Sequence, residues 1–208
     1  MNPYKLREAL SFIERETHLR TKSYRMLSDG VQGEFLQAFS LMVKPENVLE
    51  IGTFTGYATL CLYRGLRENG VLDTVEIDDE LTDIYTRAFQ IAGADRIHPH
   101  LQDAAELIPR LDRVYDIVYI DADKRLYPTF YDMVFDKVRP GGYILADNVI
   151  WSGKTASDTH PTDKQTAAIM EFNKKTASDP RVKRLVLPIR DGLALIHKKS
   201  DSLSPGQF

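Results

Sequence analysis

The chain has 208 residues, 43% hydrophobic and 27% charged, with a net charge of −3. These proportions suit one globular domain with a sizeable core. Its apolar runs fall short of the ~20 residues that cross a bilayer, and its start, MNPYKLREAL, sets the expectation of no secretory leader. One cysteine, Cys61 in an apolar helical run, excludes an internal disulfide framework and suits a reducing cytoplasm. Charge is unevenly divided. Residues 1–25 carry six Lys and Arg against three Asp and Glu, and residues 181–199 six against one, so 26–180 are acidic. Basic ends could meet an anionic acceptor, though scattered charge on exposed helices explains them equally simply.

In chain order, residues 3–25 read as an amphipathic helix followed by a polar connection through Thr17–Ser23. A helical pattern runs from Val31 to Val43, with Phe35, Leu36, Phe39 and Met42 expected on one face, until Lys44-Pro45-Glu46 breaks it. Asn47–Thr53 is a buried strand and Tyr57–Leu66 the helix after it; Val71–Ile77 is a strand, and Asp79–Ala92 a helix closed by Gly93. Ile97–Gln102 follows as a strand, then a short helix at Ala104–Ile108. Tyr115–Asp121 is the fourth strand, with a helix up to Val138. Arg139-Pro140-Gly141-Gly142 turns into the fifth, Tyr143–Asp147. Trp151–Pro161 reads as a loop, Thr162–Ala177 as a helix, and Val182–Ile189 with Leu193–Lys199 as two strands around Arg190-Asp191-Gly192. The tail 201–208 is expected to be disordered. Five β-α alternations ending in an antiparallel pair predict a single doubly wound, Rossmann-like α/β domain over 1–200. Its sheet would be seven-stranded and mostly parallel, with an antiparallel last strand and N-terminal helices.

Ligands of such sheets bind beyond the carboxyl ends of the strands, and three of those ends carry distinct chemistry. After Glu50-Ile51, the run Gly52-Thr53-Phe54-Thr55-Gly56 has G-x-x-x-G spacing, not the G-x-G-x-x-G of dinucleotide binders. Its glycines permit a tight turn and close ligand approach, and a carboxylate at Glu50 suits a cationic amino group. Glu76 follows Gly52 by 24 residues, near the ~20 expected of an acid that meets ribose hydroxyls. An exposed acid opening a helix accounts for Glu76 alone about as well. Together, loop and acid favour an adenosine ligand without obligatory phosphates, S-adenosylmethionine ahead of NAD. Asp121 ends the fourth strand and Asp147-Asn148 the fifth. Three oxygen donors on adjacent strand ends suit a hard divalent ion, Mg²⁺ first, with Mn²⁺ or Ca²⁺ as alternatives. The five scattered histidines have no ligand spacing. Lys124, three residues after Asp121, could reach a hydroxyl held on that ion.

The segments VLEIGTFTGYATL (48–60), VEID (75–78), YIDADK (119–124) and GGYILADNVIWSGK (141–154) resemble the cation-dependent small-molecule O-methyltransferases, the group of catechol and caffeoyl-CoA O-methyltransferases. The likeness extends from about Met26 to Lys199. It implies metal ligation by Asp121, Asp147 and Asn148, with Lys124 as general base and Asp121 beside it in catalysis. Glu50, Gly52 and Thr53 would line the methionine end of the cofactor, with Gly56, Tyr57 and Ala58 continuing that loop. Glu76 and Ile77 would meet its ribose side, Asp103 and Ala104 the adenine, and Met26 and Ser28 would close over the methionine and acceptor. Asp121 also borders the cofactor in this scheme. Ala58 stands where a serine is frequent, which removes one hydroxyl contact. Residues 1–25 have no close match; in this family that segment helps choose the acceptor and contributes to assembly as a homodimer.

The resulting expectation is methyl transfer to a hydroxyl of an ortho-dihydroxy aromatic small molecule, in the cytoplasm and away from membranes. Trp151 could wall a planar acceptor or could simply pack. One alternative keeps the same site but acts on 5-hydroxyuridine in tRNA, as a bacterial branch of the group does. Another class, a non-catalytic α/β protein that binds an adenosine ligand, leaves Asp121, Lys124, Asp147 and Asn148 without a purpose.

Overall fold

The computed structural model describes residues 2–28, 30–156 and 163–200. The expected tail and the later part of the Trp151–Pro161 loop lie outside them. The fold is a Rossmann-like α/β arrangement with N-terminal helices and a mostly parallel, seven-stranded sheet. Its residues group into two compact units, Met1–Leu107 and Ile108–Phe208.

The first unit opens with α1 (Pro3–Arg20). Asn2 caps it by accepting a hydrogen bond from the Tyr4 amide, and Pro3 occupies the first turn, where its missing N–H costs nothing. Leu6, Ala9, Ile13 and Thr17, three or four residues apart, form its buried face. The helix packs on α4 (Thr82–Ala92), and the Arg20 guanidinium grips Asp83 there through contacts of 2.7 and 3.1 Å. It therefore continues past Thr17, where a polar connection was expected: Thr17 is fully buried, and its hydroxyl donates to Thr55 Oγ1 at 2.9 Å. A single 3₁₀ turn, Tyr24–Met26, precedes α2 (Gly30–Val43). Leu36 and Phe39 are buried in α2 as expected, but Met42 is 71% exposed. Ser40, one helical turn after Leu36, takes the inward position instead.

Strands β1 (Asn47–Ile51), β2 (Val71–Glu76) and β3 (Ile97–Leu101) pair in parallel in the order β3-β2-β1. Helix α3 (Tyr57–Tyr63) links the first two, and α4, closed by left-handed Gly93, links the second and third. A four-residue helix, α5 (Ala104–Leu107), ends the unit. The register sets Ile51 beside Val75 and Glu76 beside Leu101. All three strands thus release their chain at one edge.

In the second unit the order is β4-β5-β7-β6, from β4 (Tyr115–Ile120), β5 (Val138–Ala146), β6 (Val182–Leu187) and β7 (Leu193–Lys198). β4 and β5 are parallel, while β7 runs antiparallel to both neighbours. Helix α6 (Tyr127–Phe135) connects β4 to β5, and α7 (Lys164–Ser178), capped by Asp163, leads to β6. Every residue from Ile117 to Ile120 is fully buried, which explains why that strand reads as a continuous apolar run. Arg139–Gly142 was expected as a turn but lies within β5. Val138 pairs with Tyr115, the register shifts before Ile117, and left-handed Gly141 absorbs the irregularity. Arg139 is anchored to Asp116 of β4 at 2.6 Å.

Candidate active site

The first group of candidate residues surrounds the loop leaving β1. Gly52, Phe54 and Gly56 all have positive φ (102°, 50° and 88°). A side chain at Gly56 would stand 2.8 Å from the Phe89 ring and 2.9 Å from Tyr85, so the position needs glycine for its conformation and for space. The amides of Gly52 and Thr53 both donate to the Val75 carbonyl (2.9 and 3.1 Å), pinning the exit to β2.

Behind this loop lies Glu50, fully buried. One of its carboxylate oxygens accepts from the hydroxyls of Thr59 and Thr74, the latter at 2.6 Å. Thr74 also meets Thr53, again at 2.6 Å. Glu76 holds the front: one carboxylate oxygen takes the Phe54 amide at 2.6 Å, and the other those of Ile77 and Asp78 at 2.8 and 3.0 Å. Its acid thus organises backbone at two strand ends, beyond the ribose role foreseen. The Glu76 carbonyl accepts from Gln102 (2.9 Å), drawing in the β3 exit, where Asp103 caps α5 through the Ala105 amide at 2.7 Å.

The structure therefore joins Glu50, Gly52, Thr53 and Glu76 in one network. Tyr57, Ala58 and Ala104 are buried, whereas Ile77 is 72% exposed and aligned with the strand ends. Ser28 is buried and Met26 exposed, on the segment ahead of α2. Reasoning from sequence missed Thr55, Thr59 and Thr74. Their signal was faint: Thr55 is hidden within the glycine loop, and Thr59 and Thr74 are single hydroxyls in otherwise apolar, core-facing stretches.

The second group lies at the ends of β4 and β5. The Asp147 amide donates to the Ile120 carbonyl at 3.1 Å, which carries the parallel pairing one step further and brings Asp121 and Asp147 onto neighbouring strand ends. Asp147 is 3% exposed, and its Oδ1 accepts the Asn148 amide at 2.8 Å. Asn148 is left-handed (φ 57°), a conformation asparagine tolerates better than most residues.

The Lys124 ammonium is buried and donates to Asp121 Oδ1 at 2.8 Å and to the Tyr127 hydroxyl at 2.6 Å. That hydroxyl stands 3.1 Å from the carbonyls of both Ile120 and Asp147. Tyr127 was not singled out from sequence, yet it ties the lysine to both strand ends. Burial works against the charge on Lys124, but the attraction and hydrogen bonds of Asp121 and Tyr127 outweigh it, and its pKa rises above the ordinary lysine value. Burial, first of all, raises the pKa of Tyr127 too, which keeps it a neutral phenol.

Asp121, Asp147 and Asn148 present oxygen donors only, a set suited to a hard cation. Among the described residues, no three His, Cys, Asp or Glu side chains form a metal cage. Two carboxylates are at hand, and the Asn148 amide is the third donor such an ion would need. Among the described residues, no helix is long and apolar enough to cross a membrane.

Comparison with known proteins bears on both groups. A family model described as O-methyltransferase matches residues 4–199. Caffeoyl-CoA O-methyltransferase 2 of Petunia hybrida is 30% identical over 189 residues, 84% of this chain and 77% of its own. The SAH-bound methyltransferase of Podospora anserina superposes with a TM-score of 0.83 at 27% identity, covering 92% of this chain and 88% of its own. The O-methyltransferase of Bacillus cereus, solved in complex with SAH, also reaches 0.83 at 27% identity, with 96% and 92% covered. With the glycine loop and the acid at the second strand end in place, the chain belongs to the O-methyltransferase family related to the caffeoyl-CoA and catechol enzymes, and it is an S-adenosylmethionine-dependent O-methyltransferase.

Proposed function

We propose that this enzyme methylates one hydroxyl of a small ortho-dihydroxy aromatic, of catechol or caffeoyl type, with a divalent cation held by Asp121, Asp147 and Asn148 and Lys124 as the base. The observation that carries this reading is the pair formed by buried Lys124 and half-buried Asp121 beside the Asp147–Asn148 strand end. The name of the Petunia relative supports the acceptor class. Gly52, Thr53, Gly56, Tyr57 and Ala58 would receive the methionine end of the cofactor, with Glu50 bracing them from behind. Glu76 and Ile77 would meet its ribose side, Asp103 and Ala104 its adenine, and Met26 and Ser28 would cover the acceptor side.

In the transfer, the acceptor hydroxyl gives its proton to Lys124 Nζ, and its oxygen attacks the sulfonium methyl. The new O–CH₃ bond forms as the S–CH₃ bond breaks, leaving a neutral thioether. The cation, Mg²⁺ first and Mn²⁺ or Ca²⁺ as alternatives, would acidify the chelated hydroxyl and offset the pull of Asp121 on the ammonium. Tyr127, fixed against two strand-end carbonyls, keeps the Lys124 side chain from swinging away when it is neutral. Because charge is annihilated in this step, alignment and exclusion of water are the remaining contributions. A cytoplasmic location agrees with the one buried free cysteine, and a homodimer is what the family resemblance implies.

The test is transfer of labelled methyl to a caffeate-type catechol, with Mg²⁺ and with EDTA. Labelling with Mg²⁺ and none with EDTA supports the reading. Metal-independent labelling removes the cation from it. No labelling of the catechol, together with labelling of tRNA containing 5-hydroxyuridine, transfers the site to the RNA acceptor.

A further inference from the structure

The chain just beyond Asn148 is held in an unusual state. Asn148, Trp151 and Ser152, none of them glycine, all have positive φ (57°, 54° and 53°), and Gly153 follows at 76°. Such backbone persists only where surrounding structure over-determines it. Two clamps are visible. The Arg190-Asp191-Gly192 turn supplies one: Val149 N donates to the Gly192 carbonyl (3.0 Å), Ile150 N to the Asp191 carbonyl (2.9 Å), and Ser152 N to Asp191 Oδ1 (2.6 Å). Gly192 is left-handed, and a side chain there would run into Ile150 at 2.4 Å, so the turn and the loop close on each other without a gap.

Asn173 of α7 is the other. Its Nδ2 donates to the Val149 carbonyl at 2.7 Å, while its Oδ1 accepts from Arg184 Nη2 of β6 at 2.5 Å. A guanidinium only donates and a carbonyl only accepts, so these partners fix which way the Asn173 amide faces. Arg184 is half-buried, and burial lowers its pKa. Among the described residues its Nε has no hydrogen-bond partner, and the side-chain contact that fixes the guanidinium is the one to Asn173.

We propose that Asn173 and Arg184 are positioning residues for the reaction: Arg184 orients the Asn173 amide, which grips the Val149 carbonyl and so holds Asn148 in its left-handed conformation beside Asp147. This rests on the reading of Asn148 as a cation ligand. Trp151, the one tryptophan of the chain, lies in the same loop and reports its state whether or not metal binds.

The decisive variant is Asn173→Asp. A carboxylate can pair with Arg184, so stability should be held, but it has no proton for the Val149 carbonyl and sets oxygen against oxygen there. In the full-length enzyme we expect an unchanged Tm, increased acrylamide quenching of Trp151, and Mn²⁺ affinity lower by roughly 10–100-fold, the range for groups that orient metal ligands. Arg184→Met, which keeps the stem and frees the amide to turn, should shift both readouts the same way by a smaller factor. Wild-type quenching and Mn²⁺ affinity in Asn173→Asp would overturn the proposal. Absence of Mn²⁺ binding by the wild type, with Trp151 still loosened in both variants, would retain the clamp and refute the metal reading. Unchanged quenching in Arg184→Met would remove Arg184 from the device even if Asn173 stays.

Discussion

The loops that leave β1 and β5 both carry the chain out of a parallel strand through left-handed backbone, and they do so by different means. Between Gly52 and Gly56 two of the three positive-φ residues are glycine, so the conformation costs little. Its supports, Thr53, Thr59, Thr74 and Glu76, come from the same β1-α3-β2 stretch. Between Asn148 and Gly153 only the last of four is glycine, and each of the others resists the left-handed region, by up to about 1–2 kcal/mol where no local side-chain hydrogen bond compensates. The holding groups there, Asn173 and Asp191, arrive from α7 and from the β6–β7 turn. The loop proposed to receive the cofactor is built locally. The one proposed to present Asn148 beside Asp147 is held from outside.

The largest effects should arise where the second loop meets the reacting groups. Asp121→Ala takes a proposed cation ligand and the partner of Lys124 together, and activity should fall by roughly 10⁴-fold or more, metal dependence vanishing with it. Assays across a Mg²⁺ titration check this, and a variant that keeps metal-stimulated turnover would contradict the donor set. Lys124→Ala should lower the rate by about 10²–10⁴-fold. Only the neutral amine can accept a proton, so wild-type kcat at saturating Mg²⁺ should climb with pH until Lys124 is neutral: Asp121 and Tyr127 push that pH up, and the cation would pull it down. Full turnover in Lys124→Ala would dismiss the lysine as base.

The first loop should respond in stability and cofactor binding before chemistry. Gly56→Ala forces a methyl against Phe89 and Tyr85 in left-handed backbone, and about 2–4 kcal/mol of stability should go with it. Thermal melts with and without S-adenosylmethionine would read this, and an unshifted Tm would deny the close packing. Thr59→Val removes one hydroxyl from the buried Glu50 carboxylate and should cost about 1–3 kcal/mol, a smaller loss of the same kind.

The smallest effect sharpens the contrast from the side of α7. Asp179, at the end of that helix, accepts from Tyr131 and Arg181, and the Arg181 hydrogen bond above all lowers its pKa to about 2. A depressed carboxylate pKa adds stability above its unfolded value of ~3.9, and that contribution disappears as pH falls through about 2. Asp179→Asn should therefore be less stable than wild type at neutral pH, by about 1–2 kcal/mol, and the two should converge near pH 2. Parallel denaturation curves at pH 7 and pH 2.5 test this. A constant gap between the two proteins would show that the carboxylate charge contributes nothing.

How much of this was legible beforehand differs from element to element. The run Ile117–Ile120 announced a strand buried on both faces, because a parallel strand with helices on either side meets only apolar neighbours. Gly52, Gly56 and Gly93 marked turns and a helix end, since glycine enters the left-handed region without steric cost. Asp121, Asp147 and Asn148 were visible as polar residues closing apolar strands. By contrast, Arg139–Gly142 carried every mark of a turn, yet pairing with β4 drew it into β5. Met42 followed the apolar pattern and still faces outward.

By itself, the sequence determined the order of strands and helices and marked the strand ends that close in polar residues, because hydrophobic period, glycine and charge act over a few residues; the family of reaction was legible through the resemblance carried by residues 48–60, 75–78, 119–124 and 141–154. Tertiary structure alone decided that Glu50 is buried under two threonine hydroxyls, that Tyr127 tethers Lys124 to both strand ends, and that Asn173 grips the chain after Asn148. The Lys124–Tyr127 contact itself spans three residues, but the bonds that tie Tyr127 to Asp147, Glu50 to Thr74 and Asn173 to Val149 join residues that become neighbours only when strands pair and helices dock, and no local pattern encodes those partners.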